Sequence, residues 1–304
     1  MNIIWRFLLL SSSVFVFVNG ASLFDSSGKL PQVDLALKAS SKGSTIIAAA
    51  GIDGAVAVIC SPSRSESADS LVGKENLNIL QSSFKICDTI GFCYGGIISD
   101  GTYLRNYLFD IIANHIHIYR SNPSLSRIAA SLANRIHENT LSARQRPFGT
   151  RCILIGPSIA PTTSSSSSSN SKHLQPPLNE EPTTSSSSSS DPFETNRDRS
   201  RSSAIFEVDP VGNCHNCHLS CIGPYTSEIM TSWPIEQRKP RSLKISTLLE
   251  TSIRLLKKQL ESDGIALQPY HLDVILSSDV SPNVDDALVV LSQEKIRMLL
   301  EGVI

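Results

Sequence analysis

Cys214-His215-Asn216-Cys217-His218 is the run whose residue types most invite chemistry. As a string it reads Cys-x-x-Cys-His, the attachment pattern of a c-type haem. Cys221, with the two histidines, also offers a third ligand to a metal such as zinc. An axial methionine for haem would have to come from Met1, Met230 or Met298. Placement argues the other way. The run follows the turn residues Asp209-Pro210-Val211-Gly212 and reads as a strand, on which side chains alternate faces. Cys214 and Cys217 then point to opposite sides, whereas haem attachment wants a helix or loop. Small thiols on a half-buried strand are the favoured reading, and no cofactor or metal is expected. No Gly-rich phosphate loop with its lysine occurs.

The other reactive types are scattered. His115 and His117 fall on one long helical pattern, one toward the core and one toward the rim. His137 ends the next helix, where a cation suits the helix dipole. Arg197-Asp198-Arg199-Ser200-Arg201 is a short basic stretch in a polar linker. Twenty-seven Lys and Arg stand against 28 Asp and Glu, a net charge of −1. That balance lacks the basic excess of a chain that grips nucleic acid by neutralising phosphates, so no nucleic-acid partner is expected. Seven cysteines in 304 residues are too few, and odd in number, for a disulfide scaffold.

Two segments stand outside the core. Residues 1–21 place Arg6 before the apolar run Phe7 to Val18 and end on the small residues Gly20 and Ala21, in the manner of a secretory signal peptide. The run is too short for a comfortable membrane span, which takes about 20 residues. Residues 157–203 hold one phrase twice, Pro161-Thr162-Thr163 with Ser164 to Ser169 and Pro182-Thr183-Thr184 with Ser185 to Ser190. Such Ser/Pro/Thr runs bury too little apolar surface to offset chain entropy, so disorder is expected. A long insertion in a surface hairpin is tolerated, because closure entropy grows only logarithmically with length. What remains, 22–156 and 204–304, has the size of one domain.

Period then assigns the elements that must carry everything else. Thr45 to Ala50 and Ala55 to Cys60, about Gly51-Ile52-Asp53-Gly54, predict a hairpin. Phe84 to Cys87 and Ile90 to Tyr94 predict a second. Tyr103, Tyr107, Leu108, Ile111, Ile112, His115, Ile116 and Tyr119 recur at three and four, a helix capped by Ser99 or Asp100. Asn122-Pro123-Ser124 breaks it and caps the next, with Leu125, Ile128, Ala129, Leu132 and Ile136 as the buried stripe. Thr150 to Ile155 and Ala204 to Val208 are strands flanking the insertion, and His215 to Ile222 continues the sheet. Ile245 to Leu260 is a third helix stopped by Gly264. Leu272 to Leu276 is a late strand, and Ser292 caps a final helix. Segregated runs of strands and helices predict antiparallel sheets covered by helices, an α+β architecture.

Five stretches, in order, resemble the α-type subunits of the 20S proteasome. Phe24-Asp25-Ser26-Ser27-Gly28-Lys29-Leu30-Pro31-Gln32-Val33-Asp34-Leu35-Ala36 is similar to the family's N-terminal pattern Phe-Ser-Pro-x-Gly-Lys/Arg-Leu-x-Gln-Val/Ile-Glu-Tyr-Ala. Asp88-Thr89-Ile90-Gly91, leading to Gly95-Gly96, resembles the hairpin before the family's first long helix. Arg146-Pro147-Phe148-Gly149 matches its Arg-Pro-Phe-Gly, between second helix and next strand. Asp209-Pro210-Val211-Gly212 resembles Asp-Pro-Ser-Gly, followed by Ile222-Gly223. The third helix and late strand complete the order. The Ser-Gly-Lys-Leu wording looks most like the type-2 branch.

The resemblance implies a four-layer αββα sandwich of the Ntn-hydrolase type. It implies a noncatalytic subunit of a seven-membered ring, stacked on rings of catalytic β-subunits. Its ring-assembly and gating residues are then Phe24, Gly28, Lys29, Leu30, Gln32, Val33, Asp34 and Ala36. Arg146, Pro147, Phe148, Gly149, Asp209, Pro210 and Gly212 are structural. Other α-subunits, β-subunits and regulatory caps are the implied partners, ubiquitin-dependent degradation the process, and cytoplasm and nucleus the location. Secretion is the alternative that residues 1–21 raise, and residues 1–21 are then either a signal or an extension.

Catalytic β-type relatives cut peptides with an N-terminal threonine freed by cleavage after glycine. Gly43-Ser44-Thr45 is a superficially suitable place. Counted from Ser44, however, the family's aspartate falls on Cys60, and counted back from Ile90-Gly91 its lysine falls near Ser82, so a nucleophile there lacks its acid/base partners. Other departures are the missing Tyr-Asp-Arg gate segment, Ser26 for proline and Leu35 for tyrosine. Ser82 also stands where many α-subunits carry the lysine that holds an activator's carboxylate.

Overall fold

The computed structural model describes residues 28–63, 81–142, 145–157, 203–234, 240–278 and 287–303. Strands β1 (Thr45–Ala50) and β2 (Gly54–Cys60) form the first hairpin, with Thr45 opposite Cys60 and Ala50 opposite Ala55. All thirteen of their residues are buried. That burial explains an apolar run without alternation, because both faces of the hairpin are covered.

The hairpin lies within a five-stranded antiparallel sheet ordered β10-β9-β2-β1-β8, where β8 is Leu219–Ile222, β9 Leu272–Ser278 and β10 Leu288–Val290. A second antiparallel sheet runs β3-β4-β5-β6-β7: Ser83–Lys85, Gly91–Gly96, Thr150–Pro157, Ser203–Val208 and Cys214–Cys217. Ile46, Ala48, Ala57 and Ile59 from the first sheet join Cys93, Ile153, Ile155 and Ile205 from the second in one buried layer.

Helices cover both outer faces. Helices α2 (Ile98–Tyr119) and α3 (Leu125–Leu141) bury Leu104, Leu108, Ile112, Ile128 and Leu132 against Phe92, Tyr94 and Leu154. On the other side α5 (Ile245–Ser262) and α6 (Gln293–Val303) set Leu248, Ile253, Leu256, Ile296 and Leu300 against Ile47, Val56 and Val58. The result is helix on sheet on sheet on helix, the αββα sandwich expected. Helix α1 (Pro31–Ser40) precedes β1, and α4 (Thr226–Ser232) follows β8.

Some expectations need correction. His215 to Ile222 is two strands, since the chain leaves β7 in one sheet and enters β8 in the other across His218. The buried line of α2 runs through Leu104, Leu108 and Ile112, while Tyr103 and Tyr119 are exposed. Asp100 caps nothing. It lies inside the first turn of α2, which begins after Ile97. Ser124 does stand at the N-cap of α3, but its hydroxyl meets Ser126 and no backbone N–H.

Strands β5 and β6 stay paired up to Pro157 opposite Ser203. The Ser-rich insertion and the N-terminal segment lie outside the described residues. Among the described residues, no helix is long and apolar enough to cross a membrane.

Candidate functional site

Helix α1 carries most of the N-terminal pattern. Pro31 occupies its first position, where a missing N–H costs nothing. Ala36 and Ser40 are buried; Gln32, Asp34 and Leu35 are exposed, and Val33 is half-buried. Leu35, where the family has tyrosine, is 57% exposed. Ahead of the helix, Gly28 takes φ 78°, Lys29 is exposed and Leu30 is the N-cap. Phe24 and Ser26 lie outside the described residues.

The C-terminal end of α1 rests on backbone. A Cβ on Gly149 would lie 2.6 Å from Ile97 Cδ1 and 3.1 Å from Ala39 Cβ. One on Gly96, at φ 109°, would lie 2.3 Å from the Gly149 oxygen and 2.9 Å from Ser40 Cα. At Gly96, where the neighbours are backbone and φ is positive, only a residue without a side chain fits.

Arg146 and Asp100 hold that seat from beneath. The guanidinium donates from Nη2 to Asp100 Oδ1 at 2.6 Å and from Nη1 to Oδ2 at 2.7 Å, a two-pronged pair. Gly149 N–H donates to the same Oδ2 at 2.9 Å. The Asp100 side chain is 7% exposed and that of Arg146 56%. Hydrogen bonding to Asp100 raises the Arg146 guanidinium above its ordinary value. Ile97 N–H closes the loop by donating to the Gly149 oxygen at 3.0 Å. Pro147 is buried, and the Phe148 ring stacks on Tyr103 at 5.5 Å. The Arg-Pro-Phe-Gly residues thus fix the junction between α2, β5 and α1.

Asp209 organises a second turn. Its Oδ1 accepts from the N–H groups of Val211 and Asn213, each at 2.9 Å, and its Oδ2 from Asn213 Nδ2 at 2.9 Å. Pro210 is buried. Gly212, at φ 95°, lies so close to α3 that a Cβ would sit 2.8 Å from the Ala133 oxygen. His137 Nδ1 donates to the Val211 oxygen at 3.1 Å. That histidine's role is to seat this turn, which its place at the end of the helix did not reveal.

The place where a nucleophile would stand is also assembled. Ser44 Oγ lies 2.6 Å from Ser61 Oγ and 3.3 Å from Ser82 Oγ. Thr45 is opposite Cys60. The positions counted for the aspartate and the lysine are therefore brought beside Ser44 and Thr45, and they hold a thiol and a hydroxyl. These hydroxyl contacts supply no base to take a proton. Ser61, one residue beyond the counted position, is the partner that counting missed.

In β7, Cys214 is opposite Val208 and Cys217 opposite Ile205. Val208 belongs to the helix-side core and Ile205 to the layer between the sheets. The two thiols accordingly point to opposite faces, and burial raises both above the ordinary thiol value. Among the described residues no group of three or more His, Cys, Asp or Glu is placed to hold a metal ion.

Comparison with known proteins agrees with this geometry. Residues 40–160 match the proteasome subunit family. A proteasome subunit alpha of Saccharolobus solfataricus is 31% identical over 135 residues, 44% of this chain and 53% of that protein. The corresponding subunit of Saccharolobus islandicus has the same identity and coverage. The proteasome subunit alpha type-1 of Dictyostelium discoideum is 26% identical over 133 residues, 44% of this chain and 50% of its own. The chain spans about half the length of the curated relatives it matches. Residues 40–160 are thus similar to the proteasome subunit family and to its alpha-type members, and the layer order and the Arg-Pro-Phe-Gly junction agree with that likeness.

Proposed function

We propose that this chain is a noncatalytic subunit of the alpha ring of a 20S proteasome core, acting in ubiquitin-dependent protein degradation in cytoplasm and nucleus. The observation that carries the reading is α1, built directly ahead of β1 and seated on the β4–β5 junction. The hydroxyl cluster at Ser44, Ser61 and Ser82 supports the same reading, since it offers no base. The domain is the single unit 22–156 with 204–304, interrupted by the Ser/Pro/Thr-rich insertion, whose expected end residues Pro157 and Ser203 belong to the paired strands β5 and β6.

Ring assembly is its principal role. The exposed face of α1, with Gln32, Asp34 and Leu35, meets neighbouring alpha subunits, the sandwich rests on beta subunits, and gating and cap docking are shared with the rest of the ring. Ser82 is buried and hydrogen-bonded to Ser44, so a cap's terminal carboxylate finds no ammonium at that position and docks through other pockets. Labelling with a nucleophile-directed threonine-peptidase inhibitor tests the noncatalytic assignment. The beta subunits of the particle should be labelled and this chain should not; labelling at Ser44 or Thr45 would overturn it.

A further inference from the structure

We propose that the Arg146–Asp100 ion pair is a latch that holds α1 in its seat, so that the docked position of this helix is set by a charge pair Arg146 shares with solvent. The inference rests on the reading of α1 as the face that meets neighbouring subunits.

Left to itself, α1 is weak. Its ten residues bury only Ala36 and Ser40, and its N-cap, Leu30, supplies no side-chain hydrogen bond. Helices this short are marginal alone and take their stability from packing. Here its C-terminal end approaches Gly96 and Gly149 closely, Ser40 at the one and Ala39 at the other. Gly149 is held by its N–H, which donates to Asp100 Oδ2 at 2.9 Å, and by its oxygen, which accepts from Ile97 N–H at 3.0 Å; what keeps the buried Asp100 carboxylate in place is Arg146. Removing the guanidinium leaves a charge in a 7% exposed side chain without its partner. The carboxylate then turns toward water and abandons the Gly149 N–H. Gly149 is also the residue against which Ala39 and Ile97 close. The seat loosens first under α1, because β5 keeps its pairing with β4 and β6 on both sides.

Amide hydrogen exchange of the full chain, wild type against Arg146→Gln and Arg146→Lys, tests the latch. The Arg146 side chain is more than half exposed, so neither variant opens a cavity at position 146 itself. Loss of a charge-assisted pair should lower the protection of residues 32–42 roughly tenfold or more in Arg146→Gln, with a smaller loss in Arg146→Lys. Protection across β1, β5 and α3 should stay at the wild-type level. Unchanged protection of α1 in Arg146→Gln would overturn the latch, and so would an equal loss spread over β5 and α3. Entry of the wild-type chain into a large particle is measured separately by native size. A failed latch and a failed subunit assignment are thereby told apart.

Discussion

At the scale of single residues, burial decides what the cysteines do. Cys93 and Cys152 are fully enclosed, and desolvation pushes both thiols far above their ordinary value; it pushes Cys221 up to about 12. In the unfolded chain the same thiols titrate near 9.0. Folding therefore holds protons that the unfolded chain releases above that pH. The stability this protects is complete below pH 9.0 and is lost as pH rises toward about 12. A thermal midpoint flat near neutrality and falling above roughly pH 9 is expected. Alkylation of the native chain near neutrality should modify the half-buried Cys87, Cys214 and Cys217 and spare Cys93, Cys152 and Cys221. Labelling of Cys93 or Cys152 without unfolding, read by peptide mass spectrometry, would contradict this packing. Asp100 shows what residue type alone hides. It has the chemistry and position of a helix cap, and only the fold reveals that its acceptors go to Arg146 and Gly149, 46 and 49 residues away.

At the scale of elements, long periodic segments were legible and short ones were not. The stop of α5 is a clear case. Gly264, at φ 73°, donates to the Glu261 oxygen while Ile265 donates to the Leu260 oxygen, the paired closure that glycine favours. Nothing lies within 4 Å of a Cβ placed there. Gly264→Ala should therefore cost about 1 kcal/mol through backbone conformation alone, measured by denaturant unfolding. No change would mean that the left-handed turn is not kept in solution. Its start at Ile245 is where the pattern places it, but the partner of its first N–H was hidden: Ile245 N–H donates to Asp53 Oδ1, 192 residues away in sequence. Helix α4, tied to the end of α5 by Tyr225 donating to Asp263, is too short to show a period. Strand β10 has three residues and no alternation to read. His215 to Ile222 reads as one strand because residue types carry no mark of a change of sheet at His218. On α2 the tyrosines mimic a core stripe, yet Tyr103 sits at the rim with Phe148 on its ring and Arg135 on its hydroxyl.

At the scale of the whole molecule, the segregated runs of strands and helices make a layered α+β fold legible, while the count of four layers follows only from the family resemblance. Chain positions 158–202 leave no mark on the paired strands beside them, since Pro157 remains opposite Ser203. Replacing 158–202 by a short Asn-Gly turn should keep the fold. It should not lower the thermal midpoint, because a shorter loop costs less entropy to close. A fall of the midpoint, or loss of the β5–β6 pairing, would show that the insertion supports the sandwich. Assembly into a ring is checked by native size separation of the endogenous protein, with mass spectrometry of the fractions. Migration in a particle many times the chain's own mass, together with other alpha- and beta-type chains, is expected. Migration as a free chain whose first residue lies near Ala21 would contradict it.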